Sequence, residues 1–73
     1  YALLEYNIPR EKLAEAEKIT PGFNSPTVSG LEDSNWCAVR VMVKQKEVIQ
    51  AMEALERLGA AAILETVIAN CRL

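Results

Sequence analysis

Apolar and polar side chains alternate in two short segments of the chain, and this alternation predicts β-strands. In residues 1–6, Leu4 and Tyr6 share one face of the strand, whereas Leu3 and Glu5 share the other. Residues 36–43 have the strongest pattern, because one face is wholly apolar and only that face requires cover by helices. The apolar face holds Cys37, Val39, Val41 and Val43, and the mixed face holds Trp36, Ala38, Arg40 and Met42.

Two other segments carry apolar residues at helical spacing. Residues 7–20 predict a helix with Pro9 in its first turn, and Pro21 and Gly22 end it. Residues 45–59 predict a stronger helix, for which Gly59 is a ready C-terminal cap. The apolar face of this second helix comprises Val48, Ala51, Met52, Leu55 and Leu58.

The remaining segments complete a strand–helix–strand pattern that occurs twice. Residues 26–31 predict a short edge strand that starts at Pro26, and residues 32–35 predict a turn. A last strand is predicted from about Ala61 to Ile68, and an extension to Cys71 remains open. The order β-α-β-β-α-β predicts an α+β fold, the ferredoxin-like plait. This fold has a four-stranded antiparallel sheet, with the first and third strands central and both helices on one face.

The length of 73 residues predicts a single domain over residues 1–73. The chain has no initiator methionine, and its first strand begins at once. We therefore expect it to be a fragment of a longer polypeptide.

The charge and the cysteines limit the classes of partner. With a net charge of −2 and scattered basic residues, the chain is not expected to bind nucleic acid or an anionic membrane. Cys37 and Cys71 lie far apart and there is no histidine, so no zinc or other metal site is expected. Two free thiols are typical of a reducing, cytoplasmic location, although a disulfide remains open.

The sequence offers no catalytic residues. It lacks histidine, a phosphate-binding glycine loop and paired carboxylates in a plausible cleft, and most glutamates fall on solvated helix faces. The plait supports many functions, so the fold alone does not select one. A small-molecule sensing module or an assembly module remains.

Three segments resemble a known family: ITPGFNSPTVSGL (19–31), WCAVRVMV (36–43) and LGAAAILETVIANCRL (58–73). They are similar to the C-terminal regulatory domain of long-form ATP phosphoribosyltransferase, which opens histidine biosynthesis. The most specific part is T-P-G-x-x-S-P-T, formed by Thr20, Pro21, Gly22, Ser25, Pro26 and Thr27.

The resemblance implies a regulatory role without catalysis. In this family, two preceding domains bind ATP, phosphoribosyl pyrophosphate and magnesium, so no cofactor is expected in the present chain. The regulatory domain binds L-histidine between protomers and supports a homo-oligomer, a hexamer. Many relatives carry an acidic residue at the position of Asn7, and an amide would form a weaker hydrogen bond there. Carried over to this sequence, the ligand contacts are Asn7, Phe23, Ser25, Thr27, Met42 and Ala62.

Two alternatives stay open at this level. One is a purely structural oligomerisation module that uses Trp36, Arg40 and Met42 as its contact surface. The other is a sensor of a different amino acid. Taken singly, Ser25 and Thr27 are also typical of hydroxyl groups that bond to local backbone in turns.

Overall fold

The computed structural model describes residues 1–22, 26–70 and 72. Its elements follow the order of the predicted plait, with a short 3₁₀ turn before each α-helix. The strands are β1 (Ala2–Pro9), β2 (Thr27–Gly30), β3 (Trp36–Val43) and β4 (Ala61–Val67), and the helices are α1 (Leu13–Ile19) and α2 (Val48–Leu58).

The strands form one antiparallel sheet in the order β2-β3-β1-β4, as the plait requires. The two central strands pair along their whole length, from Ala2 opposite Val43 to Pro9 opposite Trp36. Alternation buries every second residue of both central strands, which makes one face of the sheet the core face. Every residue of the short edge strand β2 is exposed.

Both helices bury their apolar side chains on this core face. Ala16 of α1 and Val48, Ala51 and Leu55 of α2 belong to the same buried cluster as the inward residues of β1 and β3. Met52 and Leu58 pack against the cluster with partial exposure, so the predicted apolar face of α2 is confirmed. The opposite face of the sheet has no helix over it among the described residues.

The first strand is longer than the sequence pattern predicted. We expected residues 7–20 to be helical, but β1 continues to Pro9 and α1 begins only at Leu13, after a 3₁₀ turn over Arg10–Lys12. The reason is burial, because Ile8 continues the inward series of Leu4 and Tyr6 and is fully buried. Pro9 therefore ends a strand instead of starting a helix.

The turns agree with their predicted chemistry. The side chain of Asp33 accepts a hydrogen bond from the Asn35 amide at 3.0 Å, which closes the turn between β2 and β3. Gly59 caps α2 with φ of 108°, a left-handed conformation that favours glycine. No helix in the described part of the chain is long and apolar enough to span a membrane.

Candidate functional site

The uncovered face of the sheet aligns polar side chains in rows across the strands. Residues that pair directly in antiparallel strands point to the same face. One row therefore joins Thr27, Arg40, Glu5 and Leu64, which pair in turn from β2 to β4. The next row joins Ser29, Ala38, Asn7 and Ala61.

These two rows, without Ala61, form the floor of an open concave site of about 460 Å³. Most of its lining residues come from the uncovered face, and all four strands contribute. The lining residues are Glu5, Tyr6, Asn7, Thr27, Ser29, Ala38, Val39, Arg40, Ala62 and Leu64. We call this site the sheet pocket.

A bulge in β4 shapes one side of the sheet pocket. Glu5 pairs with Leu64 and Asn7 pairs with Ala61, so Tyr6 lies opposite two residues, Ala62 and Ile63. Ala62 adopts φ of 52°, the left-handed region that L-residues other than asparagine and aspartate rarely enter. After this extra residue, the side chains of β4 alternate between the two faces of the sheet again. Ile63 packs against the core, and Leu64 lines the sheet pocket.

The sheet pocket carries one ion pair among the described residues. Glu5 Oε2 and Arg40 Nη2 are 3.5 Å apart, and the two side chains are 39% and 62% exposed. The other lining residues are uncharged, and several are small or hydroxylated. The pocket therefore combines a carboxylate, a guanidinium, an amide and two hydroxyl groups, which suits a small polar ligand.

Three of the six predicted contacts meet in this pocket, and one does not. Asn7, Thr27 and Ala62 all line it. Asn7 does so from within β1, although residues 7–20 were expected to be helical. Met42 lines a different concavity, of about 620 Å³, where the ends of α1 and β3 meet the start of α2. Phe23 and Ser25 lie outside the described residues.

The chain matches a family model described as HisG, C-terminal domain, over residues 1–70. It belongs to that family. Three similar curated proteins are each named ATP phosphoribosyltransferase. The protein from Rhodopirellula baltica is 62% identical over 73 residues. Those from Corynebacterium diphtheriae and Saccharopolyspora erythraea are 53% and 51% identical over the same length.

The present chain corresponds to only part of these relatives. Each alignment covers 100% of the chain but 24% of the Rhodopirellula protein and 26% of the other two. The similarity to the HisG C-terminal domain agrees with the resemblance carried by residues 19–31, 36–43 and 58–73.

The transfer of family contacts missed residues that the sheet pocket includes. Glu5, Ser29, Ala38, Arg40 and Leu64 also line it. The alternation of β1 and β3 already assigns Glu5 and Arg40 to the uncovered face, but the register that sets them opposite each other is visible only in the structure. Among the described residues, no group of three acidic or cysteine side chains could hold a metal ion.

Proposed function

We propose that this chain is the regulatory domain of an ATP phosphoribosyltransferase, the first enzyme of histidine biosynthesis, and that the sheet pocket binds L-histidine. The domain then forms part of a longer polypeptide whose other domains carry out the magnesium-dependent chemistry. The observation that carries this proposal is the meeting of Asn7, Thr27 and Ala62 in one polar concavity. Membership of the HisG C-terminal domain family supports the assignment to this enzyme.

The groups in the pocket complement those of the amino acid. The Asn7 amide both donates and accepts hydrogen bonds, so it serves either nitrogen of an imidazole ring. The Thr27 and Ser29 hydroxyl groups are partners for a carboxylate or an ammonium group. Ala62 leaves space beside Asn7 because its side chain is a single methyl group. Together these residues offer shape and hydrogen bonds to one small, polar, nitrogen-containing ligand.

The openness of the pocket favours a site that a second protomer completes. Its floor is a sheet face with no helix over it among the described residues, and ligand pockets normally bury most of their ligand. We propose that another copy of the domain covers the ligand, so that L-histidine stabilises one arrangement of a homo-oligomer. Feedback inhibition of this kind requires a coupling free energy of only about 1–3 kcal/mol.

Calorimetric titration of L-histidine into the full-length polypeptide tests the proposal, together with inhibition of its activity. Thr27→Val removes one hydroxyl group from the pocket, and we expect it to weaken histidine binding by about tenfold, the equivalent of ~1.4 kcal/mol. Thr66→Val is the matched control, because Thr66 is an exposed strand residue beside Leu3 that lies outside the pocket lining. It should leave binding unchanged. Absence of both heat and inhibition at millimolar L-histidine contradicts the proposal.

A further inference from the structure

The ion pair in the sheet pocket is poorly suited to a purely stabilising role. Glu5 and Arg40 are directly opposed, yet their nearest oxygen and nitrogen atoms are 3.5 Å apart. This distance is longer than the ~2.7–2.9 Å of a strong charge-assisted hydrogen bond. Since both side chains are substantially exposed, a pair of this kind contributes little to the free energy of unfolding. Its position suggests a second purpose.

That position is the middle of the pocket floor. Glu5 and Arg40 belong to the row that ends in Thr27 and Leu64, and the neighbouring row is made of short side chains around Asn7. Among the described lining residues, Glu5 is the only acid and Arg40 the only base. The pocket therefore presents one negative and one positive charge side by side, with no net charge.

We propose that Arg40 and Glu5 are ligand-binding residues that recognise the two charges of a free α-amino acid. Arg40 binds the α-carboxylate and Glu5 binds the α-ammonium group. This inference rests on the proposed function of the sheet pocket as an amino-acid site. It adds two residues to that site and defines which part of the ligand they recognise.

Charge complementarity explains why the weak Glu5–Arg40 ion pair is suited to binding a zwitterion. A guanidinium binds a carboxylate through two parallel hydrogen bonds, and a carboxylate is a strong acceptor for an ammonium group. A zwitterion can therefore replace one weak contact between the protein side chains with two stronger contacts to itself. A ligand with only one of the two charges leaves either Glu5 or Arg40 without a partner. The site then selects free amino acids over amino alcohols and over deaminated acids.

The test pairs deletions in the protein with deletions in the ligand, in the full-length polypeptide. L-Histidinol lacks the carboxylate, and imidazolepropionate lacks the ammonium group. We expect Arg40→Gln to weaken L-histidine binding by roughly 10- to 100-fold, and to leave L-histidinol binding within about twofold. Glu5→Gln should weaken L-histidine binding to a similar extent, and leave imidazolepropionate binding nearly unchanged. The control variant Arg57→Gln, at an exposed position in the last turn of α2, should change none of these affinities.

Three results would contradict these proposals, and they have different meanings. If wild-type protein binds L-histidine but Arg40→Gln weakens L-histidine and L-histidinol equally, Arg40 does not contact the carboxylate and the inference is wrong. Undiminished L-histidine binding by both Arg40→Gln and Glu5→Gln overturns it as well. If wild-type protein binds no L-histidine, the proposed function fails and this inference fails with it. Thermal melting of the two variants checks folding, and we expect little change because the pair is exposed.

Discussion

The hydroxyl groups of Tyr6 and Thr20 lie 2.8 Å apart inside the core. Thr20 also donates a hydrogen bond to the Ala16 carbonyl at 3.2 Å, so its single proton is committed and Tyr6 is the donor in the contact between them. These two hydrogen bonds link Thr20, the residue after α1, to the middle of β1. It also fixes the start of the segment that leads to Thr27 and the sheet pocket.

Loss of the Thr20 hydroxyl should destabilise the fold. Thr20→Val keeps the shape of the side chain but leaves the buried Tyr6 hydroxyl without an acceptor, at a cost of about 1–3 kcal/mol. Thr20→Ser keeps the hydroxyl and removes one methyl group, so we expect a loss of about 0.8 kcal/mol. Urea unfolding measures both values. Equal stability of the two variants would contradict a role for the hydrogen bond.

The buried phenol of Tyr6 should make the folded protein less stable at alkaline pH. Burial is the main cause that raises the pKa of its phenol above the ordinary value of 10.0. In the unfolded chain the phenol loses its proton near pH 10, whereas the folded protein retains it, so folding becomes less favourable as pH rises through this range. The contribution of Tyr6 to stability is therefore fully present below pH 10 and is lost above it.

Tyr6→Phe isolates this contribution. At pH 7 the variant should be less stable than wild type by about 1 kcal/mol, the value of the lost hydrogen bond. Above pH 10 the difference should narrow, because only wild type then carries the cost of an ionising buried phenol. Unfolding free energies at pH 7, 9 and 11 measure the trend. A difference that stays constant or widens with pH would show that the Tyr6 pKa is not raised.

Leu55 should be the most sensitive position of α2. It is fully buried between the helix and the sheet, so Leu55→Ala removes packed atoms and leaves a cavity, which costs about 2–5 kcal/mol. Ile49 is 65% exposed on the same helix, and Ile49→Ala should change stability by less than about 0.5 kcal/mol. Chemical denaturation distinguishes the two. Similar losses for both variants would place α2 in a different orientation.

Substitution by glycine should stabilise the fold at Ala62, in the bulge, but destabilise it at the neighbouring Ala61. Ala62→Gly relieves a left-handed conformation that costs an L-residue about 1–2 kcal/mol, although glycine also gives the unfolded chain more freedom, worth about 0.4–1 kcal/mol. We expect a gain of up to about 1 kcal/mol. Ala61→Gly, one residue earlier in the same strand, should lose about 0.5–1 kcal/mol. A loss at both positions would argue against the bulge.

The sequence pattern sufficed for most of the fold. Strict alternation in residues 36–43 identified a central strand and its core face, and helical spacing from Val48 to Leu58 identified α2, because each pattern extended over a full element. The end of β1 was missed because Pro9 also suits the first turn of a helix. Burial of Ile8 in the core favours the strand over a helix start at these residues, and this burial depends on tertiary structure.

Less of the candidate site than of the fold could be predicted from the sequence. Asn7, Thr27 and Ala62 came from a resemblance, and their meeting in one pocket depends on which strands are neighbours. Met42 came from the same resemblance and shares the uncovered face of β3, but it lies beyond Arg40, beside Leu3, and lines another concavity. The pairing of Glu5 with Arg40 could not be read from the pattern, because alternation assigns a face but not a register.

The central claim is that the sheet pocket binds L-histidine, and a crystal structure of the full-length polypeptide with saturating L-histidine tests it most directly. We expect the ligand on the uncovered face, within hydrogen-bond distance of Asn7 and Thr27, with its α-carboxylate at Arg40 and a second protomer covering it. An intact oligomer whose sheet pocket holds only solvent, or whose ligand lies in the concavity beside Met42, would contradict the claim.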